Sequence, residues 1–265
     1  MKNEAGHPLG SVPLGALVLA ASFAALVFLG VSSPALASSA NSDSKSASAI
    51  IAQARAAMTK AGSVSATGGG TTSVPGYGRA TLTETDFSDA SSGSQVVKMT
   101  SRSASSASLP SATTLDVAGT VYVNANAMFW TGSVGLAMGQ ATQVADQWVL
   151  VPKSSPVYTP AAADLTMPSL THDMFHATSY HKGPVQTVDG VRVIAITYTN
   201  TGNDAGPVTC YVAVGGSHLP VLVDIGGLSL HLSSWGKAQA VTAPSGAIPM
   251  PNLTTSTPSG LPVVA

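Results

Sequence analysis

Apolar and polar positions alternate along this 265-residue chain in three different rhythms. Residues 12–31 run through Leu, Val, Ala, Phe and Gly without a charge. A helical rhythm follows over 47–61, where Ile50, Ile51, Ala54, Ala57, Met58 and Ala61 share one face and Gly62 closes the run as a C-cap does. Short stretches of strand alternation, broken by Gly and Ser, then predict antiparallel strands over 63–67, 79–87, 95–102 and 120–124. Two helices are predicted to interrupt the sheet. One covers 134–144, between the aromatic residues Phe129, Trp130 and Trp148, and the other covers 168–180, with Pro168 at the end where a missing N–H is harmless. Strands return over 188–198, 208–214, 219–225 and 228–232. In the last three the alternate positions are apolar: Val208, Cys210, Val212 and Val214, then Leu219, Val221, Val223 and Ile225, then Leu228, Leu230 and Leu232. One sheet face is therefore apolar. From Ala243 onward Pro244, Pro249, Pro251, Pro258 and Pro262 bar a central strand and predict an extended arm or a disordered tail.

The apolar run at the amino end changes the picture from a domain to an exported domain. It follows a polar start with Lys2 and ends at Ala35-Leu36-Ala37, a small-x-small pattern that suits signal peptidase. Cleavage is expected after Ala37. The run is longer than a usual signal core and approaches a membrane span, so retention as an anchor stays open. Residues 1–37 are thus a signal peptide or N-terminal membrane anchor, 38–48 a flexible tether, 49–251 the domain, and 252–265 a Pro-rich tail.

Composition narrows the partners. With 11 basic and 12 acidic residues the chain is nearly neutral, which leaves no electrostatic footprint for nucleic acid. Charged residues make up 9%, and the bias to small and β-favouring residues suits an α+β chain in which strands dominate. Cys210 is the sole cysteine, so no intrachain disulfide forms, and its place between Val208 and Val212 marks it as a buried small apolar residue.

The order of several short pieces resembles the actinobacterial LppX/LprG-like lipoproteins. They are the helix ending Ala61-Gly62-Ser63-Val64, then Val121-Tyr122-Val123, Phe129-Trp130 and Trp148-Val149-Leu150-Val151-Pro152. Val188-Asp189-Gly190, Tyr211-Val212-Ala213, Leu219-Pro220-Val221 and Leu232-Ser233-Ser234-Trp235-Gly236 continue the match, which spans about residues 48–251. The resemblance implies a LolA/LolB-like fold, a strongly curved antiparallel sheet forming an incomplete barrel whose concave face is covered by helices. It also implies a hollow between sheet and helices that takes acyl chains. The family's anchoring cysteine after the signal is missing here. The chain is therefore expected to be secreted or held in the cell envelope by its own apolar segment.

Local motifs for catalysis are weak. His172 and His176 at i and i+4, with His181 nearby, share a helix face, yet no Glu or Cys completes a metal set and a solvated face is expected. Gly215-Gly216-Ser217-His218 reads as a hairpin turn and not as a nucleophile elbow. Gly68-Gly69-Gly70 lacks the Lys-Ser/Thr of a phosphate loop and is expected to be a flexible loop. Glu84 and Asp86 lie two apart on one strand face, where a solvent-facing strand edge is the expected reading over paired acid–base chemistry.

Large soft side chains beside the predicted helices, and the apolar strand faces, mark the candidate ligand cavity. It comprises Met128, Phe129, Trp130, Met174, Phe175, Val208, Val212, Val221, Val223 and Leu230. The expected protein is a non-enzymatic carrier or binding protein for a lipid or acylated ligand, working near a membrane surface without cofactor or metal. The alternative is a ligand-free extracytoplasmic sensor or structural module tethered by residues 12–31.

Overall fold

The computed structural model describes residues 45–74, 78–102, 109–201 and 206–250. The expected signal or anchor, the cleavage site after Ala37 and the tail beyond 250 lie outside them. Among the described residues no helix is long and apolar enough to cross a membrane.

The first helix, α1 (Ala47–Ala61), has the limits its periodicity predicts. Ser46 caps it, its Oγ accepting from the Ala49 N–H at 3.2 Å. Gly62 ends it in the left-handed region (φ 74°), with its N–H donating to the Met58 carbonyl. The face carrying Ile50, Ile51, Ala54 and Met58 is buried. At ~1.5–3 kcal/mol for each large side chain, that burial outweighs the helix propensity of the sequence.

Twelve strands form one open sheet among the described residues: β1 (Val64–Val74), β2 (Gly78–Ser88), β3 (Ser92–Ser101), β4 (Ser111–Val117), β5 (Thr120–Ala125), β6 (Trp148–Val151), β7 (His181–Val188), β8 (Val191–Asn200), β9 (Gly206–Ala213), β10 (Pro220–Ile225), β11 (Leu228–Ser233) and β12 (Ile248–Pro249). The spatial order is β12-β6-β5-β4-β3-β2-β1-β11-β10-β9-β8-β7. Every pairing is antiparallel except β12 with β6, so the tail residues Ile248 and Pro249 sit at a sheet edge, where proline is tolerated. The sheet is curved and does not close into a barrel, with the helices on one face.

Register shows how that inner face is composed. One cross-strand row runs Ala125, Ala112, Val97, Glu84, Gly68, Leu230, Val223, Cys210, Ile196. Its flanks are apolar and Glu84 stands at its centre. The flanks seed two separate cores. Cys210, Ile196 and Val223 pack with Ile51, Met58 and Phe175. Ala112 and Ala125 pack instead with Trp130, Val144 and Val149.

Three expectations are corrected in the strands. Gly68–Gly70 is not a loop but the middle of β1, paired on both sides. A Cβ at Gly68 would stand 1.9 Å from the Ser229 carbonyl oxygen, and one at Gly69 2.3 Å from that of Leu82. Glycine is required there because the neighbouring backbones press in, as at the corner of a bent sheet. The strand expected over 188–198 is two: Val188 ends β7, Asp189 and Gly190 turn the chain at φ 50° and 77°, and β8 follows. In β10 the register shifts between Pro220 and Leu222, so Pro220 as well as Val223 is buried while Val221 is half-buried.

The helices are shorter and more numerous than expected. They are α2 (Ala127–Gly132), α3 (Met138–Val144), α4 (Tyr158–Ala162) and α5 (Met167–Met174). The segment predicted as a helix over 134–144 starts at Met138. The one predicted over 168–180 stops at Met174, so His176 lies beyond it. A Thr166–Ser169 capping box starts α5, with Pro168 in its first turn.

Candidate ligand cavity

Between the inner face and α5 lies a cavity of about 50 Å³, with room for a few water molecules. Its apolar wall includes Val64, Leu170, Met174, Val223, Leu230 and Leu232. Strand alternation delivers Val223 and Leu230, which are register partners, and α5 contributes Leu170 and Met174 from above. The opposite wall is polar: Glu84, Asp86 and Ser88 from β2, Gln95 from β3, Asp164, and Asn200 at the end of β8.

Glu84 and Asp86 share this wall because positions two apart on a strand point the same way. Their strand is central, between β1 and β3, which overturns the expected solvent-facing edge. Glu84 is 2% exposed, and its Oε1 accepts from Gln95 Nε2 at 2.7 Å. Burial first of all pushes the Asp86 carboxyl up to about 7, and the nearby Asp164 charge adds to the rise. Hydrogen bonds with Glu84 and Gln95 oppose it.

The cover is pinned to the sheet by its backbone. Asp164, in the left-handed region at φ 58°, has its carbonyl bound by Ser88 Oγ at 3.0 Å. The Met167 N–H donates to the Asp89 carbonyl at 2.7 Å, and Thr166 bridges Asp89 in parallel. The Leu165 carbonyl oxygen lies where a Cβ on Gly93 would fall, 1.7 Å away, so glycine at 93 lets this segment settle. At the other end, side chains from β8 take carbonyls of the last turn of α5. Asn200 Nδ2 donates to Asp173 O at 2.7 Å, and the Tyr198 hydroxyl donates to Met174 O. The Tyr180 hydroxyl bonds Phe175 O at 2.6 Å, and the Arg55 guanidinium, also bonded there, lies 5.6 Å from the Phe175 ring centroid.

Of the ten residues expected around a cavity, Met174, Val223 and Leu230 line this one. Phe175, Val208 and Val212 are buried in the adjoining core. Val221 is half-buried at the irregularity in β10. Trp130 belongs to the second core, its indole N–H donating to the Ala125 carbonyl at 3.1 Å, and Met128 is half-buried beside it. Phe129 lines a smaller void of about 10 Å³ with Val97, Met99 and Ala112. Gln95 borders both spaces and stands as the polar partition between them.

Other motifs lie apart from the cavity. The His172 and His176 rings are 5.1 Å apart beside α5, while His181 begins β7. Among the described residues no group of three or more His, Cys, Asp or Glu side chains is arranged so that it could hold a metal ion. Ser217 Oγ accepts from the Leu219 N–H at 3.4 Å within the turn between β9 and β10. Cys210 is fully buried, and burial pushes its thiol up, away from reactivity.

No protein-family model and no curated protein sequence matches the chain. Among solved structures it is similar to LprF from Mycobacterium bovis, at 13% identity over 76% of this chain and 97% of that one, with a TM-score of 0.42. It is also similar to the Mycobacterium tuberculosis lipoprotein LppX, at 16% identity over 74% and 100%, TM-score 0.40. A LolA superfamily protein from Nitrosomonas europaea is similar at 12% identity over 75% and 96%, TM-score 0.30.

Proposed function

We propose that this chain is an exported, non-enzymatic carrier or binding protein for a lipid or other acylated ligand, held between the inner sheet face and α5. The observation that carries the reading is the cavity's placement. An apolar wall of Val223, Leu230, Leu170 and Met174 faces a space covered by one short helix and one pinned segment. An acyl chain there would be stabilised by desolvation, at ~0.8 kcal/mol per methylene, with no need of charge on the protein. The enclosed 50 Å³ is too small for a long chain, so loading requires α5 to move outward from the sheet. The side-chain bonds from Tyr198 and Asn200 to its last turn are among those that motion breaks.

Export is supported by the uncharged run over 12–31 and the Ala35-Leu36-Ala37 pattern. Release after Ala37 would make a diffusing carrier, and retention of the run would hold the domain at a membrane surface. Amino-terminal sequencing of the mature protein distinguishes them.

The small enclosed volume favours a second reading, a ligand-free extracytoplasmic sensor or structural module tethered by residues 12–31. Native mass spectrometry of the protein, before and after delipidation and titration with palmitoyl ligands, decides between them. Retained or acquired acyl adducts are expected. Their absence at all ligand concentrations would overturn the carrier and leave the sensor.

A further inference from the structure

The polar wall is one-sided in its chemistry. Glu84, Asp86 and Asp164 contribute three carboxyl groups, and among the described residues no Lys, Arg or His lines the cavity with them. Gln95 Nε2 donates to Glu84 Oε1, Gln95 and Glu84 also hydrogen-bond Asp86, and Asn200 Nδ2 donates to the Asp173 carbonyl. Asp86 keeps one oxygen outside these bonds: its Oδ1 is shut off from solvent and has no hydrogen-bond partner among the described residues, although the side chain lines the cavity. A buried acceptor without a partner forfeits the hydrogen bonds it made with water, a loss that a donor on an arriving ligand would recover.

Resting on the carrier reading, we propose that this end of the cavity is a subsite for the hydrogen-bond-donating head of an amphiphile, a hydroxyl or an ammonium, with the acyl chain along the Val223 and Leu230 wall. The same wall selects against anionic heads. A carboxylate or phosphate placed here would leave Asp86 Oδ1 unmatched and would meet like charge where water does not screen it. A hydroxyl or ammonium head satisfies the acceptor and takes its place beside Glu84. Specificity then comes from repulsion of the wrong head as much as from attraction of the right one.

The test compares three ligands with the same saturated chain, 1-monopalmitoylglycerol, hexadecylamine and palmitate, titrated at pH 8 into the purified protein, into Asp86→Asn and into Glu84→Gln. Both substitutions keep side-chain volume and remove a carboxylate. The wild-type protein is expected to bind at least one donor-headed ligand ~10-fold or more tightly than palmitate, a ratio worth ~1.4 kcal/mol. The variants are expected to narrow the ratio by gaining palmitate affinity. A tighter monoacylglycerol identifies a hydroxyl head and a tighter amine an ammonium head. Palmitate binding as well as both others, or a ratio unmoved in both variants, overturns this subsite and leaves the carrier reading standing. Failure of all three ligands to bind overturns both.

Discussion

Gln95 Nε2 reaches 2.7 Å across from β3 to Glu84 Oε1 on β2, a bond buried in the middle of a sheet face that is apolar to either side. Gln95 also borders both the cavity and the smaller void beside Phe129. One side chain thus holds a buried carboxyl and partitions the inner face. Gln95→Leu removes the donor while keeping the bulk, and is expected to destabilise the fold by ~1–3 kcal/mol, read as a lower urea midpoint with an unchanged slope.

The Asp86 carboxyl is raised from 3.8 to about 7, chiefly by burial, so the folded protein holds this proton more tightly than the unfolded chain. Its contribution to stability is fully present below about pH 4 and is lost as pH rises through about 7. Urea midpoints measured between pH 4 and 8 should fall over that window. In Asp86→Asn this component of the slope should vanish.

At Gly68 a Cβ would meet the Ser229 carbonyl oxygen at 1.9 Å, and neither partner is a flexible side chain. Gly68→Ala is therefore expected to cost more than ~2 kcal/mol, at the upper end of single-substitution effects. A Cβ at Gly139 in α3 would meet nothing within 4 Å, and Gly139→Ala is expected to be neutral or to stabilise by up to ~1 kcal/mol. Thermal unfolding of the two variants checks the contrast.

Tyr198 and Asn200 hold the last turn of α5 from β8. Tyr198→Phe deletes one bond and keeps the ring. Amide exchange should quicken in α5 by ~5–10-fold, as expected for loss of about 1 kcal/mol, while β9 and β10 keep their protection. If α5 is the cover that must move, acyl ligands should also associate faster with this variant.

Cys210 is fully buried between neighbours on β8 and β10, and its thiol is pushed upward by that burial. Iodoacetamide is expected to leave it unmodified in the native protein and to label it in urea. Native-state labelling would show that the core around it opens.

Elements whose own residues repeat at one period were legible from sequence. Ile50, Ile51, Ala54 and Met58 marked α1 to its terminal residues, and Val208, Cys210 and Val212 marked the buried face of β9. β4 was missed because its inward positions include Thr114 and Asp116, which carry no apolar signal although both are buried. β7 was missed because an edge strand with mostly exposed residues has no face to bury. The glycine run at 68–70 lacked any side-chain signal, and its strand is held by backbone pairing to β11 and β2.

Local sequence determined which stretches carry an apolar face, because periodicity is a property of neighbours along the chain. It also marked a charge-free amino-terminal run and a nearly neutral composition. Tertiary structure decided which faces share a cavity. Met174, Val223 and Leu230 came together there, while Trp130 went to a separate core. It likewise decided that Glu84 and Asp86 face inward, since whether an alternating polar position is outer or inner depends on the strands that flank it. Those partners, β1 and β3, fix the face, and the segment at Asp164, far along the chain, closes it across a separation over which hydrophobic pattern carries no information.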